Sequence, residues 1–169
     1  YQMLFLADNN ETSAKYEAIL PVLNDGVTTS SYGGMNFLIL STYAATMDAD
    51  IPSGTDCSWG KCTRVRGTLL DKFFSGDAPQ TNSIAEMTAA AQDDRALFYG
   101  AGYTHRITDE TDANAGFGCV KFRNVRSDGQ PNQVINFVNT DLFLMRVAEA
   151  YLTYAEASTR INGTNADAS

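Results

Sequence analysis

Asn139-Thr140-Asp141-Leu142-Phe143-Leu144-Met145-Arg146-Val147-Ala148-Glu149-Ala150-Tyr151-Leu152-Thr153-Tyr154-Ala155-Glu156-Ala157-Ser158-Thr159-Arg160-Ile161-Asn162 is the stretch around which the chain is organised. Phe143, Leu144, Val147, Ala148, Tyr151, Leu152 and Ala155 recur at steps of three and four, so a 3.6-residue period places them on one stripe of an amphipathic helix. The pattern predicts a helix from Asn139 to Asn162 with that stripe buried. Asn139, Thr140 and Asp141 offer capping oxygens and negative charge at its start, and Gly163 stands where a left-handed terminal residue belongs. Arg146 with Glu149, and Glu156 with Arg160, fall one turn apart on the polar side. Such pairs contribute only about 0.2 to 0.5 kcal/mol each, so burial is expected to hold the helix.

The alanines add a second constraint. Ala148 and Ala155 lie two turns apart on the stripe, and small side chains let a neighbouring helix approach closely. Tyrosines and alanines interleaved in this way are the pattern of tetratricopeptide-like helix pairs. One helix cannot form such a stack, so its partners must come from elsewhere.

Outward from this stretch, composition sets limits. The 169 residues suit one domain, and 44% apolar content is ordinary for a globular core. A net charge of −8 with 12 Lys and Arg and no basic run argues against nucleic acid. The most apolar run, Met35 to Met47, is interrupted by Asn36, Ser41 and Thr42 and is too short to span a bilayer. The chain opens at Tyr1 rather than Met and reads as a piece of something longer. Of three cysteines, Cys57 and Cys62 could close a short ring around Trp59 in an oxidising compartment, leaving Cys119 free. With His105 the sole histidine, a Cys/His zinc site is hard to assemble.

In chain order, Tyr1 to Leu6 reads as the end of a helix and Asp8 to Glu11 as an oxygen-rich turn. Glu17 to Val22 reads as a short strand closed by an Asn24-Asp25-Gly26 turn. Phe37 to Tyr43 fits strand or helix equally. Asp48 to Cys62 is loop. Arg64 to Phe74 reads as a helix with Leu69, Leu70, Phe73 and Phe74 inward, and Ser83-Ile84-Ala85-Glu86 has the spacing of a capping box before a helix to about Ala91. Arg95 to Tyr103 and Val120 to Phe122 fit two strands around an acidic loop, and Arg126 to Pro131 is a turn.

Asp141 to Ala157, with Arg-Val-Ala-Glu-Ala-Tyr-Leu-Thr-Tyr-Ala-Glu-Ala, resembles the signature helix of the SusD/RagB family of outer-membrane lipoproteins. Further blocks resemble it in the same order: Leu4 to Asn9, Glu17 to Pro21, Tyr32-Gly33-Gly34, Lys72-Phe73-Phe74, Asp93 to Leu97 and Arg126 to Gly129. The resemblance implies a mainly α, tetratricopeptide-like fold with long irregular loops and a few short strands, residues 1–169 being an internal to C-terminal part of one such domain. It implies a surface lipoprotein of the outer membrane, held only by an N-terminal lipid anchor that would precede Tyr1. Such proteins cap a TonB-dependent, SusC-like transporter and catch glycan for import. In the starch binders among them the sugar lies along an arc of aromatic rings, and the matching motif positions are Tyr32 and Trp59. Two departures stand out: Phe143 replaces a proline common inside the signature helix, and the loop carrying Trp59 is longer and contains Cys57 and Cys62.

The chemistry fits that implication. Pyranose rings present C–H faces and hydroxyl edges, so their site needs flat apolar surface flanked by polar groups, which Trp and Tyr with Arg, Asn and Asp supply. Arg64 and Tyr43 are near in sequence and are candidate further contacts. Asp8, Asn10 and Glu11, with Asn139 and Asp141, are hard oxygen ligands of the kind calcium takes, and the resemblance implies that the loop and the residues before the signature helix share a structural Ca2+. Asn139 stands where an acidic residue is expected, which weakens such a site. Helix capping explains the same residues. Enzyme readings fare worse. Glycosidase carboxyls face each other about 5 to 9.5 Å apart, which adjacent Asp93 and Asp94 do not favour, and His105 has no evident nucleophile. The expected function is non-catalytic capture of starch or a related α-glucan. A glycoside hydrolase and a helical-repeat module for a protein or peptide partner are the alternatives.

Overall fold

The computed structural model describes residues 1–130 and 132–163. Its centre is the segment that periodicity left ambiguous. Gly34 adopts φ +56, a conformation that favours glycine, and from it runs α1 (Gly34–Thr42), followed by α2 (Ala45–Asp48). Met35, Ile39, Tyr43 and Met47, four residues apart, are all buried and form the spine of the core with Leu70, Phe74, Met87, Leu97, Phe117 and Val120. Burial of this one face settles the segment as helix.

Around that core the elements are short. α3 (Gly67–Leu70) is a single turn, where a helix from Arg64 to Phe74 was expected. Val65 is drawn into a bridge with Phe117, which prevents an earlier start, and beyond Leu70 the chain continues in tight turns to Phe74. Leu70 is buried as expected, whereas Leu69 is 47% exposed. α4 (Ile84–Ala91) has the expected bounds. Ser83 Oγ accepts the Glu86 N–H at 3.3 Å, but the Glu86 carboxylate takes the Thr81 hydroxyl instead of reaching back to Ser83. Thr81 Oγ1 accepts the Ser83 N–H in its place at 3.0 Å. Two antiparallel ribbons complete the body: β1 (Ala18–Val22) with β4 (Leu142–Arg146), and β2 (Phe98–Tyr99) with β3 (Gly118–Cys119).

The largest correction concerns the organising stretch. Residues Leu142 to Arg146 form β4, and the helix α5 (Val147–Asn162) begins eight residues after Asn139, where the pattern places its start. Asn139, Thr140 and Asp141 do not cap it, because β4 stands between them and its first turn and tertiary bonds hold their backbone elsewhere. Asp141 Oδ1 accepts the Asn24 N–H at 2.7 Å, Thr140 donates to the Arg123 carbonyl at 2.9 Å, and the Asn139 N–H goes to Asn124 at 2.9 Å. Asn9 donates to the Asp141 carbonyl and accepts its N–H, so a side chain extends the ladder that β4 then continues with β1. The negative group at the start of α5 is Glu17, whose carboxylate accepts the Ala148 N–H at 3.1 Å. Gly163 ends the helix at φ +76 and ψ −157, a glycine conformation but not the left-handed one expected, and Arg160 pairs with Glu156 at 2.5 Å as expected.

None of α5 is buried. Tyr151 and Leu152, 68% and 71% exposed, lie on the stripe predicted to be covered; among the described residues α5 is met chiefly by β4 and by the short 3-10 turn Ser13–Glu17, which leave both side chains open. The mainly helical, tetratricopeptide-like expectation therefore holds only in part: α1, α4 and α5 are the described helices of eight residues or more, separated by long loops. Cys57, Cys62 and Cys119 are free thiols, and no ring closes around Trp59. No helix among the described residues is long and apolar enough to cross a membrane.

Candidate functional site

Four aromatic rings meet at one place on the surface, and α1 positions all of them. Tyr32 immediately precedes the helix, and Phe37 projects from its outer side. Trp59 arrives on a loop that caps the other end. The last carbonyls of a helix have no partners within it. Here the Trp59 N–H donates to Leu40 O at 2.8 Å, the Thr63 N–H to Ser41 O at 2.8 Å, and the Lys61 N–H to Tyr43 O at 2.7 Å. Phe137 is placed by the buried Asn36, which accepts the Val138 N–H at 2.8 Å and donates to Asn136 O at 3.2 Å.

Along the row Phe37, Trp59, Tyr32, Phe137 the ring centroids are spaced 5.7, 6.5 and 5.2 Å, with interplanar angles of 66°, 43° and 53°. Trp59 is 37% exposed, Phe37 46% and Tyr32 61%. The indole is thus held by its neighbour without being enclosed. Beside Tyr32 a groove of about 320 Å³ is lined by Asn24, Thr28, Thr29, Ser30 and Ser31. The loop that lines it is ordered by Asp25, whose carboxylate accepts the N–H groups of Val27, Thr28 and Thr29 and is held well below the usual carboxylate range by the Thr28 hydroxyl first and by those N–H groups second. A tilted aromatic strip next to a hydroxylated groove suits a ligand with one apolar face and polar edges.

The loop is tied down at both ends. Gly54, at φ +78, passes so close to Asn124 that a Cβ would lie 2.3 Å from its carbonyl oxygen. Asn124, fully buried, donates to Gly54 O and Val134 O and accepts from Asn132 and Asn139, so its amide is completely used. At the other end Lys61 adopts φ +57, rare for a side chain with a Cβ, and buries its ammonium against Gly116 O at 2.7 Å and the Tyr103 ring at 3.9 Å. Burial first, and the charge of Arg64 second, push its pKa down to about 8.

The remaining sequence candidates fall elsewhere. Tyr43 is fully buried in the core with its hydroxyl unpartnered, and burial pushes the phenol far above its ordinary value; it cannot touch a surface ligand. Arg64 lies beyond the strip and donates to the main-chain oxygens of Asp112 (2.5 Å), Glu110 (2.7 Å) and Ala115 (3.0 Å), clasping the acidic loop. The calcium set is not assembled. Glu11 pairs with Arg126 at 2.8 Å, Asp8 accepts the Ser127 N–H and hydroxyl, and Asn10 is exposed. Asp141 Oδ2 and Asn139 Oδ1 are buried without a close partner, and burial raises the Asp141 pKa against the opposing effect of the Asn24 N–H and the nearby Asn10 side chain. Two such oxygens fall short of the six to eight that calcium takes, and among the described residues no three His, Cys, Asp or Glu side chains converge. The residues present do not fit the ion.

Sequence reasoning missed Phe37 and Phe137. Had 37–43 been read as helix, Phe37 would have fallen opposite Met35 and Ile39 and so outward. Phe137 carries no local signal, since only the distant Asn36 places it.

Comparison with known proteins gives the chain a family. The profile of the SusD family matches residues 42–169, and the chain belongs to that family. It is also similar to the starch-binding protein SusD of Bacteroides thetaiotaomicron, 37% identical over 195 aligned residues that cover 96% of the chain and 35% of that protein. The chain thus spans about a third of the length of the curated relative it matches.

Proposed function

We propose that this chain is part of a single SusD-like domain of a non-catalytic glycan-capture protein, and that the strip Phe37, Trp59, Tyr32, Phe137 is its sugar-binding surface. The observation that carries the reading is the placement of Trp59 and Tyr32, exposed and 6.5 Å apart on one face. The hydroxyl-lined groove beside them and the starch-binding name of the similar SusD support it and favour an α-glucan. Partial covering of two rings contributes a few kcal/mol, and wet hydrogen bonds about 0.5 to 1.5 kcal/mol each. After the cost of association this leaves roughly millimolar to high-micromolar affinity. Weak sites repeated along a polymer still retain it by avidity.

Family membership also supports an outer-membrane surface location through a lipid anchor, and delivery of the glycan to a TonB-dependent, SusC-like transporter. A hydrolase has less support, because Asp93 is tied to Arg95 at 2.6 Å and that guanidinium holds its carboxyl below the usual range, unlike a general acid. A protein partner as sole ligand has one observation in its favour, the uncovered stripe of α5. Affinity electrophoresis in amylopectin tests the proposal. Retarded migration abolished by Trp59→Ala, with no reducing ends released, is the expected result. Unretarded migration overturns it, and retrieval of a transporter without glycan affinity favours the protein-partner reading.

A further inference from the structure

A second groove, of about 750 Å³, opens where the loop carrying Trp59 runs into α3, and its walls include Thr63, Arg64, Arg66, Thr68, Arg106 and Glu110. Three of the chain's twelve Lys and Arg residues thus gather at one concavity, in a molecule of net charge −8. Their charges are not equally neutralised. Arg106 forms a bidentate pair with Asp71, both bonds 2.7 Å, and is largely compensated. Arg64 is oriented by three main-chain carbonyls, which fix its fork without cancelling its charge and leave two of its five N–H donors unused. Arg66 is exposed, and among the described residues it pairs with no carboxylate. Lys61 lies behind Arg64; burial chiefly lowers its pKa, and the charge of Arg64 adds to that while Asp112 opposes it. Glu110 is the one carboxylate in the lining.

We propose that this groove is an oxyanion subsite, in which Arg66 and Arg64 with the hydroxyls of Thr63 and Thr68 take a phosphate or sulfate ester carried on the captured polymer. The inference rests on the glycan-binding reading above for the source of the anion, though not for the anion site itself. A planar guanidinium whose orientation is already fixed presents paired donors to an oxyanion with little further ordering. Cys62 and Thr63 of the groove wall follow Trp59 by three and four residues on the same clamped loop.

The test compares migration of the protein in native gels containing amylopectin that bears phosphate monoesters with gels of the same polymer after enzymatic dephosphorylation. The intact protein is expected to bind the phosphorylated polymer roughly three- to tenfold more tightly, the range of one or two exposed charge-assisted bonds. Arg66→Gln removes that difference and leaves binding to the dephosphorylated polymer unchanged, while added salt narrows it. Retardation that is present and equal in the two gels, or a difference that survives Arg66→Gln, overturns the proposal. A parallel NMR titration with inorganic phosphate alone separates this failure from failure of the glycan reading. A saturable shift of arginine side-chain resonances that is lost in Arg66→Gln supports the subsite even without gel retardation, and a flat titration overturns it.

Discussion

Tyr32 and Trp59 come from opposite ends of α1 yet place their ring centres 6.5 Å apart, inclined at 43°, because the helix carries one and its C-terminal carbonyls hold the loop of the other. Neither ring belongs to the core. Trp59→Ala is therefore expected to abolish glycan retention while changing stability by no more than about 1 kcal/mol, as for exposed positions. Trp59 is the sole tryptophan, so its fluorescence reports occupancy directly. Titration with a maltooligosaccharide is expected to give a saturable emission change, and Phe37→Ala, which removes the edge-on neighbour 5.7 Å away, to weaken binding without abolishing it.

Tyr43 separates core from site. Its hydroxyl is buried and unpartnered, and such a group costs roughly 1 to 3 kcal/mol. Tyr43→Phe is expected to raise the urea midpoint with glycan binding unaltered. Tyr43→Ala, which opens a cavity, is expected to destabilise by about 3 to 5 kcal/mol, as for other large core aromatics.

The buried ammonium of Lys61 gives a pH dependence of defined sign. Its folded pKa, about 8, lies below the ordinary 10.5, so between these values the unfolded chain binds more protons and stability rises with pH. The slope is at most about 1.4 kcal/mol per pH unit. Wild-type stability relative to Lys61→Met, measured by urea denaturation, is expected to increase from pH 8 to 9; a flat difference contradicts the assignment. Taking the difference removes the thiols of Cys57 and Cys119, whose raised values act in the opposite direction above about 9.

Arg64 holds the loop of Glu110, Asp112 and Ala115 through three carbonyls. Arg64→Gln is expected to raise amide exchange across residues 109–115, with retention in dephosphorylated amylopectin preserved. Loss of that retention would instead make Arg64 a sugar contact.

What the sequence disclosed follows from how local each signal is. Ser83 to Ala91 carries its own cap and period and was legible, as was the Asn24-Asp25-Gly26 turn after β1. Residues Leu142 to Arg146 share the apolar period of α5 but also fit a strand, and the outcome depended on β1, more than a hundred residues away. Asn139 and Asp141 have the chemistry of caps and of metal ligands, and they cap nothing because β4 separates them from the first turn of α5 while the Asn24 N–H and the Asn124 amide oxygen fix them where they stand. Tyr32 and Trp59 were found through resemblance, and the structure brings them together. Arg64 was placed elsewhere by the acidic loop and Tyr43 by the core, facts that neighbouring residues do not encode.

The clamped ends of the loop bearing Trp59 have a kinetic consequence. With its amides already engaged by Leu40, Tyr43 and Ser41, and Gly54 locked against Asn124, the indole has no folding step to complete when a ligand arrives. For the weak binding proposed above, such a rigid shelf makes rapid departure rather than hindered arrival the expected cause. A polymer could then slide or hop across it, staying near the surface while no single residue of it is detained.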